Sequence, residues 1–150
     1  MKKKIEILAP AKDLIQGIAA INSGADAVYI GAPLYGARSN ATNSIEDVAE
    51  LVKYAHLFNA QVFVVINTIL YDNELESCRQ MIWKLYDIGV DALIIQDMAI
   101  MEMELPPIVL HASTQANNRD ADKIKFLADA GMKRVVLARE LNLHQIKTIS

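Results

Sequence analysis

Residues 109–118, V-L-H-A-S-T-Q-A-N-N, begin as a short apolar strand and continue as a dense run of uncharged hydrogen-bonding side chains. The run contains no Gly or Pro that would explain it as a tight turn, and Pro106 and Pro107 just before it favour extended backbone. A strand whose C-terminal end turns polar is the usual place for a binding site in parallel α/β proteins. We therefore interpret this segment as part of a binding site.

Polar side chains also follow the other predicted strands. Because the C-terminal ends of parallel strands meet at one edge of a sheet, we expect these side chains to form a ring that binds a peptide, a small polar ligand or a flipped nucleobase. The predicted substrate-binding residues are Tyr29, Arg38, Asn67, Gln96, Asp97, His111, Ser113, Gln115, Arg139 and Glu140.

The motifs present do not assign catalytic groups. The sequence has no G-x-S-x-G nucleophile elbow and no H-E-x-x-H zinc motif. Ser113 follows His111 closely, but a nucleophile–base pair is assembled by the fold and not by closeness in sequence. No metal-ligand spacing is recognisable. We therefore predict a binding site without a metal, and we leave the catalytic residues unassigned.

Strand and helix patterns alternate along the whole chain, and they must position this ring. Strands are predicted at residues 5–10, 26–31, 61–67, 91–97 and 133–139, and another begins the polar run at residue 109. Amphipathic helices separate them. A weak internal repeat supports this interpretation, since GADAVYI at 24–30, GVDALII at 89–95 and GMKRVVL at 131–137 each place a Gly at a helix end before a buried strand.

Alternating β-α units imply an α/β fold with an all-parallel sheet, because a crossover between parallel strands needs its helix. A doubly wound parallel sheet suits a chain of 150 residues. A TIM-type (β/α)8 barrel normally needs about 250 residues, so this chain would supply the first six β-α units of an incomplete barrel. No G-x-G-x-x-G motif follows the first strand. We therefore predict that residues 1–150 are the N-terminal part of one barrel domain, and we keep the doubly wound sheet as the alternative.

The alternation of side chains along each strand predicts which of them face the barrel axis. His111 and Ser113 would point inward from the fifth strand, and Tyr29 from the second. On the third strand, Phe63 and Asn67 share one face.

Glu6 would also point inward, from the first strand. A carboxylate inside an apolar strand is unfavourable unless it is paired, and Arg139 or His111 would be a suitable partner. The alternative is that Glu6 lies near the bottom of the barrel, where it is partly hydrated.

Composition and charge exclude some classes of partner. A hydrophobic fraction of 53% suits a buried parallel sheet. The net charge of −3 gives no general attraction to nucleic acids or anionic membranes. No signal peptide is recognisable, and no apolar segment approaches the roughly 18 residues of a membrane span. We therefore expect a cytoplasmic protein without a membrane partner.

Six strings in this sequence carry a further signal: EILAPA at 6–11, GADAVYIG at 24–31, NT at 67–68, GVDALIIQD at 89–97, HASTQ at 111–115 and RVVLAREL at 134–141. Together and in this order they resemble the N-terminal region of the collagenase-like peptidase (U-32) family. The resemblance covers essentially the whole chain and implies a barrel-type domain.

Three functions follow as expectations from the resemblance. Family members are widely described as proteases, and on this basis the chain is expected to be a peptidase that binds its ligand at the C-terminal strand ends. Other members are linked to hydroxylation of a base in transfer or ribosomal RNA, with prephenate as a proposed requirement, so RNA is the alternative partner. A third group acts in oxygen-independent ubiquinone synthesis and carries an iron–sulfur cluster. An inactive fragment or accessory subunit is the non-catalytic alternative.

The resemblance also bears on the cofactor. The cysteine-containing signature of the family lies beyond the matched segment, so an iron–sulfur cluster is expected only in a full-length protein. The single cysteine, Cys78, cannot hold a cluster alone. We therefore expect no cofactor in this segment.

Six β-α units leave two open sheet edges, which are templates for pairing with another chain. We predict that the isolated chain associates with itself through these edges. Sedimentation velocity or light scattering at high concentration measures this association. A clean monomer under those conditions would contradict the prediction.

Overall fold

Residues 5–36 and 43–149 are described by a computed structural model, in which strands and helices alternate. The strands are β1 (Leu8–Ala11), β2 (Ala27–Gly31), β3 (Gln61–Ile66), β4 (Ala92–Ile95), β5 (Val109–Ala112) and β6 (Arg134–Val135). The α-helices are α1 (Leu14–Asn22), α2 (Ile45–Leu57), α3 (Leu75–Asp87), α4 (Ala121–Asp129) and α5 (Leu143–Ile149), and short 3₁₀ turns cover Asp72–Glu74, Met98–Glu102 and Thr114–Ala116. Within the described ranges, no helix has both the length and the apolar character needed to cross a membrane.

Each strand is hydrogen-bonded in parallel to the strand before it, in the order β1-β2-β3-β4-β5-β6. A doubly wound sheet reverses its direction at a switch point, and this sheet does not. The sheet is curled into a half-barrel, so the incomplete TIM-type barrel is confirmed. In a flat sheet, β1 and β6 would stand roughly 24 Å apart at the usual strand spacing. Instead, Arg134 Nη1 on β6 lies 2.7 Å from Glu6 Oε1 just before β1.

The internal repeat corresponds to one type of helix-to-strand turn. Gly24, Gly89 and Gly131 have φ values of 96°, 87° and 111°, in the left-handed region that residues other than Gly adopt with strain. The N–H after each Gly closes the helix end with a six-residue hydrogen bond of Schellman type. These bonds run from Ala25 N to Ala20 O, from Val90 N to Leu85 O and from Met132 N to Leu127 O.

The carboxylates of the repeat cap the neighbouring strand. Asp26 Oδ2 accepts the N–H of Ile7 at 2.9 Å, and Asp91 Oδ2 accepts the N–H of Val62 at 2.8 Å. In both units the side chain at the start of one strand therefore satisfies a backbone donor at the start of the previous strand. The third unit has Lys133 at this position, and its backbone N–H donates to Leu110 O.

The two faces of the sheet bury different side chains. The helix side holds the larger core, in which Val28, Ile30 and Leu93 are fully buried. The inner side holds a smaller cluster formed by Ala27, Phe63, Ala92 and Ile94, with Leu8, Tyr29 and Val65 packed against it. Paired residues in a sheet point to the same side, so the register confirms that Tyr29 and His111 face inward.

The predicted bounds of the first and sixth strands differ most from those in the structure. The first strand was predicted at residues 5–10 but pairs as Leu8–Ala11, because the N–H of Ile7 is bonded to the Asp26 carboxylate. The sixth was predicted at 133–139 but is only Arg134–Val135. Its partner β5 ends at Ala112 and turns at Ser113, so no ladder remains for β6 to extend along.

Gly17 brings α1 against α2. A Cβ at this position would lie 2.6 Å and 2.8 Å from the two δ carbons of Leu51, which is fully buried. We expect Gly17→Ala to lower the free energy of unfolding, because overpacking costs about 1–3 kcal/mol and exceeds the ~1 kcal/mol gained in helix propensity. Urea unfolding measures the change.

The control is the same substitution in a Leu51→Ala background. There the clash is removed, and Gly17→Ala is expected to stabilise by up to about 1 kcal/mol relative to Leu51→Ala alone. A stabilising effect in both backgrounds would contradict this description of the contact.

Candidate functional site

An open cavity of about 980 Å³ lies at the C-terminal ends of the strands. Its floor is apolar and includes Leu8, Val65 and Ile94 from the inner face of the sheet. Its polar wall combines cations, amides and hydroxyl groups. These residues are Lys12, Gln16, Tyr29, Asn67, Ser113, Thr114, Gln115 and Arg139. An apolar floor with a few convergent polar groups is typical of a ligand site.

Half of the predicted ring lines this cavity. The five residues are Tyr29, Asn67, Ser113, Gln115 and Arg139. They come from β2 and from the segments that follow β3, β5 and β6, as expected for strand ends that meet at one edge. Arg38 falls outside the described residues. Whether any of these side chains contacts a substrate stays a prediction.

Asp97, Gln96 and Glu140 are not on the cavity wall. The Asp97 carboxylate has a local role, because Oδ1 accepts the N–H of Ala99 and Oδ2 accepts the N–H of Leu70, each at 2.9 Å. It therefore caps the 3₁₀ turn after β4 and ties it to the loop after β3. Gln96 is half-buried, and Glu140 is exposed.

His111 lies within the inner face and does not line the cavity. Its ring packs edge-on against Phe63, with 4.9 Å between the ring centroids, and only 5% of the residue is exposed. The pKa of His111 is lowered to about 4, chiefly by burial and also by the nearby Arg134 charge, while Glu6 opposes both. The imidazole is therefore neutral near pH 7. Its Nδ1 has no hydrogen-bond partner among the described residues.

Glu6 is paired, but neither with Arg139 nor with His111 as predicted. Both of its oxygens accept hydrogen bonds from Arg134, at 2.7 Å and 2.9 Å. The hydrogen bond from Arg134 holds the pKa of Glu6 below its usual value, against the effect of burial. The Arg134 guanidinium also lies 5.4 Å from the centre of the Phe63 ring. Both partners are partly exposed, so the expected hydrated position of Glu6 is confirmed.

The polar run after β5 folds as a tight turn. Ser113 Oγ accepts the N–H of Gln115 at 3.2 Å and begins the 3₁₀ turn. Asn117 ends the turn in the left-handed region, with φ of 57°. Lys123 Nζ donates to the carbonyl oxygens of Ala116 and Asn117. The geometry therefore places Ser113, Thr114 and Gln115 on the cavity wall, and Ser113 also holds the turn.

Lys12 and Gln16 are wall residues that the prediction missed. Lys12 directly follows β1, and Gln16 lies in the first turn of α1. Gln16 Oε1 accepts the N–H of Lys12 at 3.0 Å, while Asp13 Oδ1 accepts the N–H of Gln16 at 2.9 Å. The strand-end rule would have found Lys12 if the first strand had been placed correctly.

The described residues do not fit a metal or an iron–sulfur cluster. Cys78 is buried in the helix-side core, and burial raises the pKa of its thiol to about 11. Within residues 5–36 and 43–149, no three His, Cys, Asp or Glu side chains are grouped so that they could hold a metal ion. The groups that this part of the chain offers to a ligand are hydrogen-bond donors, acceptors and two cations.

Comparison with known proteins identifies the family. Residues 12–150 match the sequence profile of peptidase family U32. This chain belongs to peptidase family U32. The U32 chain superposes on the solved structure of a U32 peptidase with a TM-score of 0.77 and 14% identity, over 99% of this chain and 66% of that one. At this identity, the likeness shows the shared fold.

Two curated relatives of the U32 chain bear names of RNA-modifying proteins. The 23S rRNA 5-hydroxycytidine C2501 synthase of Escherichia coli (strain K12) is 56% identical over 97% of this chain, which corresponds to 22% of the relative. The tRNA hydroxylation protein P1 of Bacillus subtilis (strain 168) is 36% identical over 97% of this chain and 35% of its own length. Other relatives bear protease or collagenase names. The U32 chain thus spans about a fifth to a third of the RNA-modifying relatives.

The Glu6–Arg134 pair makes stability depend on pH. The pKa of Glu6 is lowered in the folded state, so its contribution is present above the ordinary value of 4.5 and is lost as the pH falls through the lowered value. Because both side chains are partly exposed, we expect a coupling energy of about 1 kcal/mol near neutral pH. Urea unfolding of wild type, Glu6→Gln, Arg134→Gln and the double variant gives this energy.

The coupling energy should decline as the pH is lowered from about 5 to about 2, since a protonated Glu6 is no longer an anion. In the Arg134→Gln background, Glu6→Gln should change stability little at any of these pH values. A coupling energy that stays constant over this range would show that the charge of Glu6 does not contribute.

Proposed function

We propose that this U32 chain forms the strand-end wall of a site at which an RNA base is hydroxylated, and that this wall binds and orients the substrate. The observation that carries the proposal is the composition of the wall, with amides, hydroxyls and two cations above an apolar floor. The 56% identity to a protein named for hydroxycytidine formation in 23S rRNA supports it.

The wall residues have chemistry that suits a nucleotide. The side-chain amides of Asn67 and Gln115 each carry a donor and an acceptor, which is the combination that pairs with a base edge. Lys12 and Arg139 suit phosphate or another anionic group. The net charge of −3 gives no general attraction to RNA, so these local cations carry the electrostatic part of recognition.

Binding and orientation are the contribution of this wall to the reaction. None of its described side chains is a redox centre, so the oxidising chemistry is assigned to a group outside this wall. Holding the base against the floor would confine the reacting atom and exclude water from it, which is how a binding surface accelerates a reaction carried out by another group.

Proteolysis needs an activated nucleophile, and the wall supports it less well. Ser113 is the candidate nucleophile, but its hydroxyl accepts the N–H of Gln115 and holds the turn. The adjacent inward residue, His111, packs against Phe63 below the cavity. These contacts stabilise the fold. In a nucleophile–base pair, by contrast, the base is hydrogen-bonded to the nucleophile.

The test uses an E. coli strain that lacks the 23S rRNA 5-hydroxycytidine C2501 synthase. The natural protein that carries this sequence is expressed there, and 5-hydroxycytidine is measured in rRNA and tRNA digests by mass spectrometry. We expect the modified nucleoside to return. Arg139→Ala should reduce it about 10-fold or more, since a charged hydrogen bond contributes roughly 1.5–3 kcal/mol.

Arg79→Ala is the matched control, because Arg79 lies on α3, pairs with Glu76 in the same helix and does not line the cavity. It should leave the modification unchanged. Absence of any hydroxylated base with folded, expressed protein would refute the proposal. Gelatin cleavage by that same protein would then favour the peptidase, and neither activity would favour an accessory subunit.

A further inference from the structure

Asn118 is the most completely buried polar residue at the edge of the cavity. It is 0% exposed, and it closes the polar run that follows β5. It does not line the cavity itself. Its hydrogen bonds nevertheless reach the turn after β5 and the segment after β6, and both of these carry residues that line the cavity.

Three hydrogen bonds join Asn118 to its surroundings. Its Nδ2 donates to Ser113 O at 2.7 Å and to Val136 O at 2.9 Å. Its own carbonyl oxygen accepts the N–H of Ala138 at 3.1 Å. Asn118 therefore ties the turn after β5 to the segment after β6.

The orientation of the amide is fixed by its partners. Both atoms that face Nδ2 are carbonyl oxygens, which only accept, so the NH₂ end of the side chain must point toward them. The other end, Oδ1, is buried and receives no hydrogen bond from the described residues. An apolar side chain could fill the same space. What the polar side chain of Asn118 adds is its two donated hydrogen bonds.

The segment after β6 depends on this attachment. The β5–β6 ladder has two paired positions and ends at Ala112 and Val135, followed by one bond from Val136 N to Ala112 O. Beyond that point, Asn118 takes the place of a strand partner for residues 136–138. The residue that follows them is Arg139, and the turn on the other side carries Gln115; both line the cavity.

We propose that Asn118 is a positioning residue, which sets the distance between Gln115 and Arg139 across the cavity wall. It acts through the two backbone segments and does not touch the substrate. Losing its side chain would let the turn after β5 and the segment after β6 move independently. A displacement of about 1 Å at a binding group lowers efficiency by up to about 100-fold.

The first experiment uses Asn118→Ala and Asn118→Leu in the natural full-length protein, with hydroxylation of RNA as the readout, and this arm rests on the proposed function. We expect kcat/KM to fall roughly 10- to 100-fold with a clear rise in KM, because the groups that bind and orient the substrate are displaced. Partial unfolding would instead lower kcat at constant KM. Leu127→Ala is the control for lost stability, since Leu127 is buried in the helix-side core of α4.

The second experiment does not depend on the activity. Hydrogen exchange is followed in the wild-type protein, in Asn118→Ala and in Leu127→Ala. We expect Asn118→Ala to speed exchange in residues 113–118 and 136–139 together while α3 is unaffected, and Leu127→Ala not to reproduce this pattern. Unchanged exchange in either segment, or a fall in kcat at constant KM, would overturn the inference. A wild-type protein without hydroxylation would refute the proposed function alone, and hydrogen exchange would still decide the role of Asn118.

Discussion

One constraint shapes the whole molecule: each strand pairs in parallel with the strand that precedes it, and the order never reverses. All crossovers therefore place their helices on the same side of the sheet, and the twist of the strands curls the other side inward. This curl brings Arg134 of the last described strand against Glu6, which precedes the first. It also gathers the C-terminal ends of the strands around one cavity.

The inner face of the curled sheet combines small and large side chains. Small residues, Ala27 and Ala92, stand beside the large Phe63, so that side chains from facing strands fit around the axis. On this face Glu6 and Arg134 pair with each other and are partly exposed, and the buried His111 is neutral. The polarity of the face then rises toward the C-terminal ends, where Asn67 and Gln115 line the cavity.

Strand alternation, the inward direction of Tyr29 and His111, and the location of Asn67 and Ser113 at the cavity could be predicted from local patterns. Periodicity of two along a strand decides the direction of a side chain without knowledge of the rest of the fold. The pairing of Glu6 with Arg134 could not be predicted, because it depends on how far the sheet curls. Asp97 was assigned to the ring by its position after a strand, yet backbone N–H groups nearby occupy its carboxylate. Such competition between local capping and ligand binding is not visible in the sequence.

The Glu6–Arg134 bond has a consequence for the order of folding. It joins residues 128 positions apart, so nearly the whole chain must be placed before the bond can form. Closing a loop of this length costs more conformational entropy than closing the shorter loop of the α1–α2 packing, by about 0.6 kcal/mol for each doubling of length. We therefore expect the bond to form late in assembly. A contact that forms late slows the opening of the curled sheet more than it speeds its formation.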